Sequence, residues 1–182
     1  MIKILLDFVE PFGDDENITQ DRTNIDMSLE EYHGLFDHVL TINTGSTEDK
    51  TNRLRLELQN LANEIENESV YFHFLGHGCI NDGGESIGFQ FIMYSELSGM
   101  LMFFKERNCR VYLNMLSSCN TSGMASYRDS FDTLWYTDRN IVDTDTPFLL
   151  PANYLNGDRF DFENFKQRDG YPSYCEIQNP IG

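Results

Sequence analysis

Apolar residues in this chain fall into short continuous runs and helically spaced stripes, and their alternation predicts the fold class. Ile2 to Val9 is an apolar run that Pro11 and Gly13 close, which predicts a strand buried on both faces. Leu35 to Asn43, with Val39, Leu40 and Ile42, predicts a second strand. Leu54, Leu58, Leu61 and Ile65 then recur at helical spacing behind a capping Ser46 or Thr47. Arg53, Arg55, Glu57, Glu64 and Glu66 occupy the opposite face, so this is a crossover helix lying on a sheet. Val70 to Leu75 is the third strand and stops at Gly76-His77-Gly78. Cys79 to Gly88, rich in Gly and Asp, reads as a loop, and Phe89 to Tyr94 as a short strand pair or a lead-in. Ser95 is placed to cap the next helix, with Leu97, Met100, Leu101 and Phe104 as its buried stripe and Lys105 and Arg107 by its last turn. Arg110 to Leu116 is the fourth strand and stops at Ser117-Ser118-Cys119. A short helix to about Tyr127, a fifth strand over Phe131 to Thr137, and a helix over Asp143 to Leu155 interrupted near Pro151 follow. Asn156 to Gly182 has no clear period. Strands alternating with helices predict βαβ units, a mostly parallel sheet and right-handed crossovers, in one α/β domain over residues 1–182.

Charge narrows the partners. Thirteen basic against thirty acidic residues give a net charge of −17. Such a field argues against nucleic acid and anionic membranes, and suits a basic partner or a cationic peptide as readily as simple solubility. Glu10 to Glu31 is the most acidic stretch without apolar period, read as a long surface loop with a short helix near Ser28 to Gly34, where Ser28 and Glu31 fit a capping box. No apolar run reaches the length of a bilayer span, and Asp7 interrupts the first run where a signal peptide would stay apolar. A cytoplasmic protein is expected, with Cys79, Cys109, Cys119 and Cys175 as free thiols.

The candidate chemistry lies at two strand ends. His77 ends the third strand and Cys119 the fourth, with one loop-plus-helix crossover between them. Neighbouring parallel strands lie about 5 Å apart, and sites in such sheets form beyond the strands' carboxyl ends. An imidazole beside a thiol takes its proton and later protonates a leaving amine. Gly76 and Gly78 let a substrate approach the main chain, and the backbone N–H groups of Gly78 and Cys119 are the expected oxyanion donors. A zinc site is the rival chemistry, with His73, His77, Cys79 and Cys119 as donors. His73 and His77 lie too far apart along a strand to chelate easily, and no CxxC pair exists, so no metal is expected. Gly83-Gly84 and Gly76-x-Gly78 lack the pattern of a phosphate-binding loop. Cys79 reads as a packing residue, and His33, His38, Cys109 and Cys175 receive no role.

A hydrophobic strand ending in His-Gly, followed by one ending in Ser-Cys, resembles the caspase-like cysteine peptidases, the superfamily of caspases, metacaspases, legumains, gingipains, separases and CHAT domains. The CHAT type is the most similar: FLGHG at 74–78 resembles its histidine motif, LSSCNTSG at 116–123 its cysteine motif with Thr121 in place, and TLWYTD at 133–138 its later Leu-Trp strand. The resemblance covers about Val70 to Asp138. It implies a three-layer caspase-like fold with helices on both faces of the sheet, His77 as base, Cys119 as nucleophile, peptide-bond hydrolysis and no metal or organic cofactor. It also implies a substrate pocket shaped by the first and fourth strand ends and the region near Trp135. Ser117 stands where metacaspases carry an acidic residue, and Asp7 is the alternative acidic group for that pocket.

The expected protein is therefore a cysteine endopeptidase acting on a protein or peptide substrate. The rival is a catalytically weak member of the same fold acting as an adaptor or regulatory module, with a regulatory protein as partner.

Overall fold

The computed structural model describes residues 1–9, 29–138, 150–168 and 173–179. The first strand is β1 (Ile2–Asp7), followed by α1 (Leu29–His33) and β2 (His38–Thr41). Next come α2 (Thr47–Glu64) and β3 (Ser69–Leu75). Three short strands, β4 (Gly78–Ile80), β5 (Ser86–Phe89) and β6 (Ile92–Met93), precede α3 (Tyr94–Lys105). Then follow β7 (Arg110–Ser117), β8 (Thr133–Thr137), β9 (Leu155–Asn156), β10 (Arg159–Phe160), α4 (Phe162–Arg168) and β11 (Tyr174–Gln178).

The core is a six-stranded sheet in the order β11-β8-β7-β3-β1-β2. All neighbours are parallel except β11, which lies antiparallel to β8 at the edge. The unbroken apolar runs of β1, β3 and β7 arise because both faces are covered. Ile4, Leu6, Phe8, Val70, Phe72, Phe74, Val111 and Leu113 point into one core with Leu54 and Leu58 of α2 and Leu97, Leu101 and Phe104 of α3. Leu5, Tyr71, Leu75, Leu116 and Trp135 point into the other, beneath Tyr32 of α1 and Phe165 of α4. Helix α2 starts where expected: Ser46 accepts from the Asp49 N–H, and the Asp49 carboxylate accepts from the Ser46 N–H. Leu54 and Leu58 are fully buried, each contributing about 1.5–3 kcal/mol.

Three expectations need correction. Cys79 to Gly88 is not simply a loop, since β4, β5 and β6 form a separate three-stranded antiparallel sheet. Strands of two to four residues carry too few positions to show a period. Ser95 does not cap α3: Met93 holds the N-cap position and makes no side-chain cap bond. The stretch from Asn156 onward, without pattern in sequence, begins at the end of β9 and contains β10, α4 and β11. Beyond Cys119 the chain makes 3₁₀ turns at Ser122–Ser126 and Arg128–Ser130. Helix α1 falls within the short helix expected near Ser28 to Gly34. The acidic loop over 10–28 and the helix expected from Asp143, as far as residue 149, lie outside the described residues. Among the described residues no helix is long and apolar enough to cross a membrane.

Candidate active site

Strands β3 and β7 are direct neighbours in the sheet, so the two candidate strand ends lie side by side. Their register runs from Ser69 opposite Arg110 to His73 opposite Asn114, and then changes. The last pair is Leu75 opposite Ser117, so one β3 residue, Phe74, faces two on β7, Met115 and Leu116. This is a β-bulge. Its consequence is direct: His77 and Cys119 each lie two residues beyond the pair Leu75–Ser117. Without the extra residue, Ser118 would stand level with His77. Gly78 lies against the Cys119 carbonyl so closely that a Cβ there would overlap it. Only glycine permits this approach. His77 is exposed and Cys119 is half-buried at the same sheet edge.

A buried polar chain holds the bulge. Asn114 Oδ1 accepts from the Leu116 N–H at 3.0 Å, within the bulge itself. Asn114 Nδ2 donates to the Tyr71 hydroxyl at 2.9 Å. Tyr71 Oη lies 3.0 Å from His73 Nδ1, and His73 Nε2 lies 3.0 Å from Ser117 Oγ. All four residues are fully buried. Burial pushes His73 down to about 3, so its ring is neutral at neutral pH, and pushes the Tyr71 hydroxyl up. His73 and Asn114 interrupt two otherwise apolar runs, VYFHFL and VYLNML, at register-matched positions. That coincidence is the sequence signal that would have identified this pair. It instead placed His73 among possible metal donors.

The small sheet clamps both loops. The Gln90 N–H donates to the His77 carbonyl at 2.7 Å. This places Gly78 and Phe89 in a non-hydrogen-bonded pair, so the Gly78 N–H points away from β5. Ser86 Oγ donates to the Asn120 carbonyl at 2.5 Å and accepts from the Gly123 N–H at 3.1 Å. Tyr94 Oη donates to the same carbonyl at 3.3 Å. Asn120 has a φ of 52°, a left-handed conformation that asparagine tolerates, and it turns the chain immediately after Cys119. On the other side, the Thr121 N–H donates to the Thr137 carbonyl, and the Thr137 hydroxyl donates to the Ser118 carbonyl at 2.8 Å. Ser86, Gln90, Tyr94 and Thr137 received no role from the sequence, because contacts across 13 to 37 residues leave no local pattern.

The remaining candidates fall in different places. Asp7 is level with Leu75 and thus reaches the same sheet edge, but it is buried. Its carboxylate accepts from the Val9 N–H at 3.0 Å and lies 3.5 Å from His33 Nε2. Ser117 is fully buried and faces His73. Trp135 stands level with Asn114, five residues before Cys119 on the neighbouring strand, and packs among Tyr71, Tyr112 and Phe160. The structure therefore brings Asp7, Ser117, His77, Gly78 and Cys119 to one edge and leaves Trp135 deeper along the sheet. Cys79 is buried, accepts from the Phe91 N–H at 3.1 Å, and has its thiol pushed up by burial. Among the described residues no three His, Cys, Asp or Glu side chains group as metal donors.

An imidazole and a half-buried thiol at matched positions, with main-chain N–H groups beside them, suit acyl transfer through a thiolate. No protein-family model, curated protein or solved structure matches the chain.

Proposed function

We propose that this protein is a caspase-like cysteine endopeptidase, with the three-layer arrangement of that superfamily and closest in its motifs to the CHAT type. The register that sets His77 and Cys119 two residues beyond one strand pair is the observation that carries this reading. Cys119 Sγ attacks the peptide carbonyl carbon as its proton passes to His77. The oxyanion is met by the N–H groups of Gly78 and Cys119. The C–N bond breaks as His77 protonates the leaving amine, and water, deprotonated by His77, releases the acyl group from sulfur. The side chains of this chain supply every proton transfer. The substrate is a protein or peptide, with Asp7 at the same sheet edge as the candidate contributor to its pocket, and the setting is the cytoplasm.

Cleavage of a peptide library by the parent protein and by Cys119→Ala tests this reading, alongside labelling by an electrophilic peptide. Cleavage lost in Cys119→Ala and selective labelling of Cys119 are expected. Equal cleavage by both proteins refutes the assignment. An unlabelled Cys119 in an inert protein returns the chain to the adaptor class.

A further inference from the structure

A cavity of about 690 Å³ opens at the amino end of the sheet, away from the edge that bears His77 and Cys119. Its wall includes Tyr112 of β7 and Trp135 of β8, with the fully buried Tyr71 of β3 packed against Trp135. Phe160 and Phe162 complete an aromatic lining. The volume is that of a small-molecule or side-chain site. Tyr112 stacks on Trp135 with 18° between planes, and Phe160 meets Trp135 edge-on with centroids 4.9 Å apart.

Carboxylates are set among these rings. Glu176 Oε2 accepts from Trp135 Nε1–H at 2.7 Å, which pins a negative charge against the indole. Glu163 lies on the same wall. Two of the cavity's cations face carboxylates, the Met1 ammonium 3.5 Å from Asp158 and Arg159 3.5 Å from Asp161, and Lys166 donates to the Tyr174 carbonyl at 2.7 Å. Glu163 and Glu176 have no such ion pair among the described residues. One ring of the cavity already takes an ammonium group, since Lys166 Nζ lies 5.7 Å from the Phe162 centroid. Aromatic faces and an anchored carboxylate together favour a cation with a partly apolar head. An anion would meet Glu163 and Glu176, whose carboxylates stand exposed at the cavity.

We propose that this cavity binds an organic cation, a guanidinium or alkylammonium group, independently of the chemistry at Cys119. The net charge of −17 draws such a ligand toward the protein. The group is either borne by a basic peptide side chain or carried by a free amine, and the test separates these sources.

Trp135 is the only tryptophan in the chain, so intrinsic fluorescence reports on this cavity directly. The full chain is titrated with agmatine as a free cation, with acetyl-Gly-Arg-Gly-amide as a peptide-borne cation, and with the citrulline peptide as its neutral isostere. A saturable change in emission with at least one cation is expected, with the citrulline peptide weaker by about 5- to 30-fold. Which cation saturates identifies the source. Glu176→Gln keeps an acceptor for the indole N–H and is expected to weaken binding about tenfold, with rising salt weakening it in the parent protein. Glu163→Gln, at an exposed site, gives a second charge-removal readout should Glu176→Gln disturb the fold. No saturable change with either cation up to about 10 mM, or equal affinity for the citrulline peptide, overturns the proposal.

Discussion

Replacing Tyr71 by Phe removes one oxygen and strands two buried groups. The Tyr71 hydroxyl accepts from Asn114 Nδ2 at 2.9 Å and lies 3.0 Å from His73 Nδ1, with all three residues fully buried. Each buried polar atom left without a partner costs about 1–3 kcal/mol, so Tyr71→Phe is expected to lose about 2–6 kcal/mol. Asn114→Leu strands a different donor, the Leu116 N–H within the bulge. In the double variant the Asn114 amide that Tyr71→Phe alone would strand is absent. The double variant should therefore cost about 1–3 kcal/mol less than the sum of the two singles. Urea unfolding of the parent, the two singles and the double measures this coupling, with Trp135 fluorescence as the probe. Additivity to within about 0.5 kcal/mol refutes the claim that these side chains form one network. The same variants test the link to the site. If the bulge closes, the residues beyond it shift by about 3.3 Å and their side chains change face. Folded Asn114→Leu protein should then lose labelling of Cys119 by an electrophilic peptide, and unchanged labelling refutes the positioning role of the bulge.

Further outcomes follow from single contacts. Gly78→Ala places a methyl group on the Cys119 carbonyl, so it should cost about 1–3 kcal/mol in urea unfolding and suppress Cys119 labelling, and a neutral effect would contradict the close approach. His73 is held near 3 by burial against an ordinary 6.5, so the unfolded chain takes up a proton below pH 6.5 that the folded protein excludes. Stability from this group is complete above pH 6.5 and falls by about 1.4 kcal/mol per pH unit toward pH 3. Urea titrations at pH 7 and 5.5 should show a smaller difference for His73→Gln than for the parent. In a limited iodoacetamide time course with peptide mapping, half-buried Cys119 should react before Cys79, which is buried and whose thiol is pushed up, and equal rates would contradict this.

The elements with enough residues to show a period were legible in the sequence. Leu54 and Leu58 sit on the buried face of α2 as their spacing requires, Ser46 caps that helix, and the runs around Ile4, Phe72 and Leu113 are central strands. Those runs also placed His77 and Cys119 at strand ends, because an apolar run that stops on small residues marks where a buried strand emerges. The small sheet β4-β5-β6 was legible only in part, as the short strand pair at Phe89 to Tyr94, since strands of two to four residues show no period, and the edge strand β11 was not legible because its partner β8 lies far back in the chain.

The apolar runs are enough to specify a mostly parallel α/β sheet with an imidazole and a thiol at two strand ends. That those two ends are level comes from the packed sheet. The alignment depends on one extra residue in β7, and that bulge is held by Asn114 bonding across to Tyr71, 43 residues away in the chain. A hydrophobic pattern specifies which face a residue takes. It carries no count of residues between two strands, so the register that sets His77 beside Cys119 exists only once the buried hydrogen bonds are made.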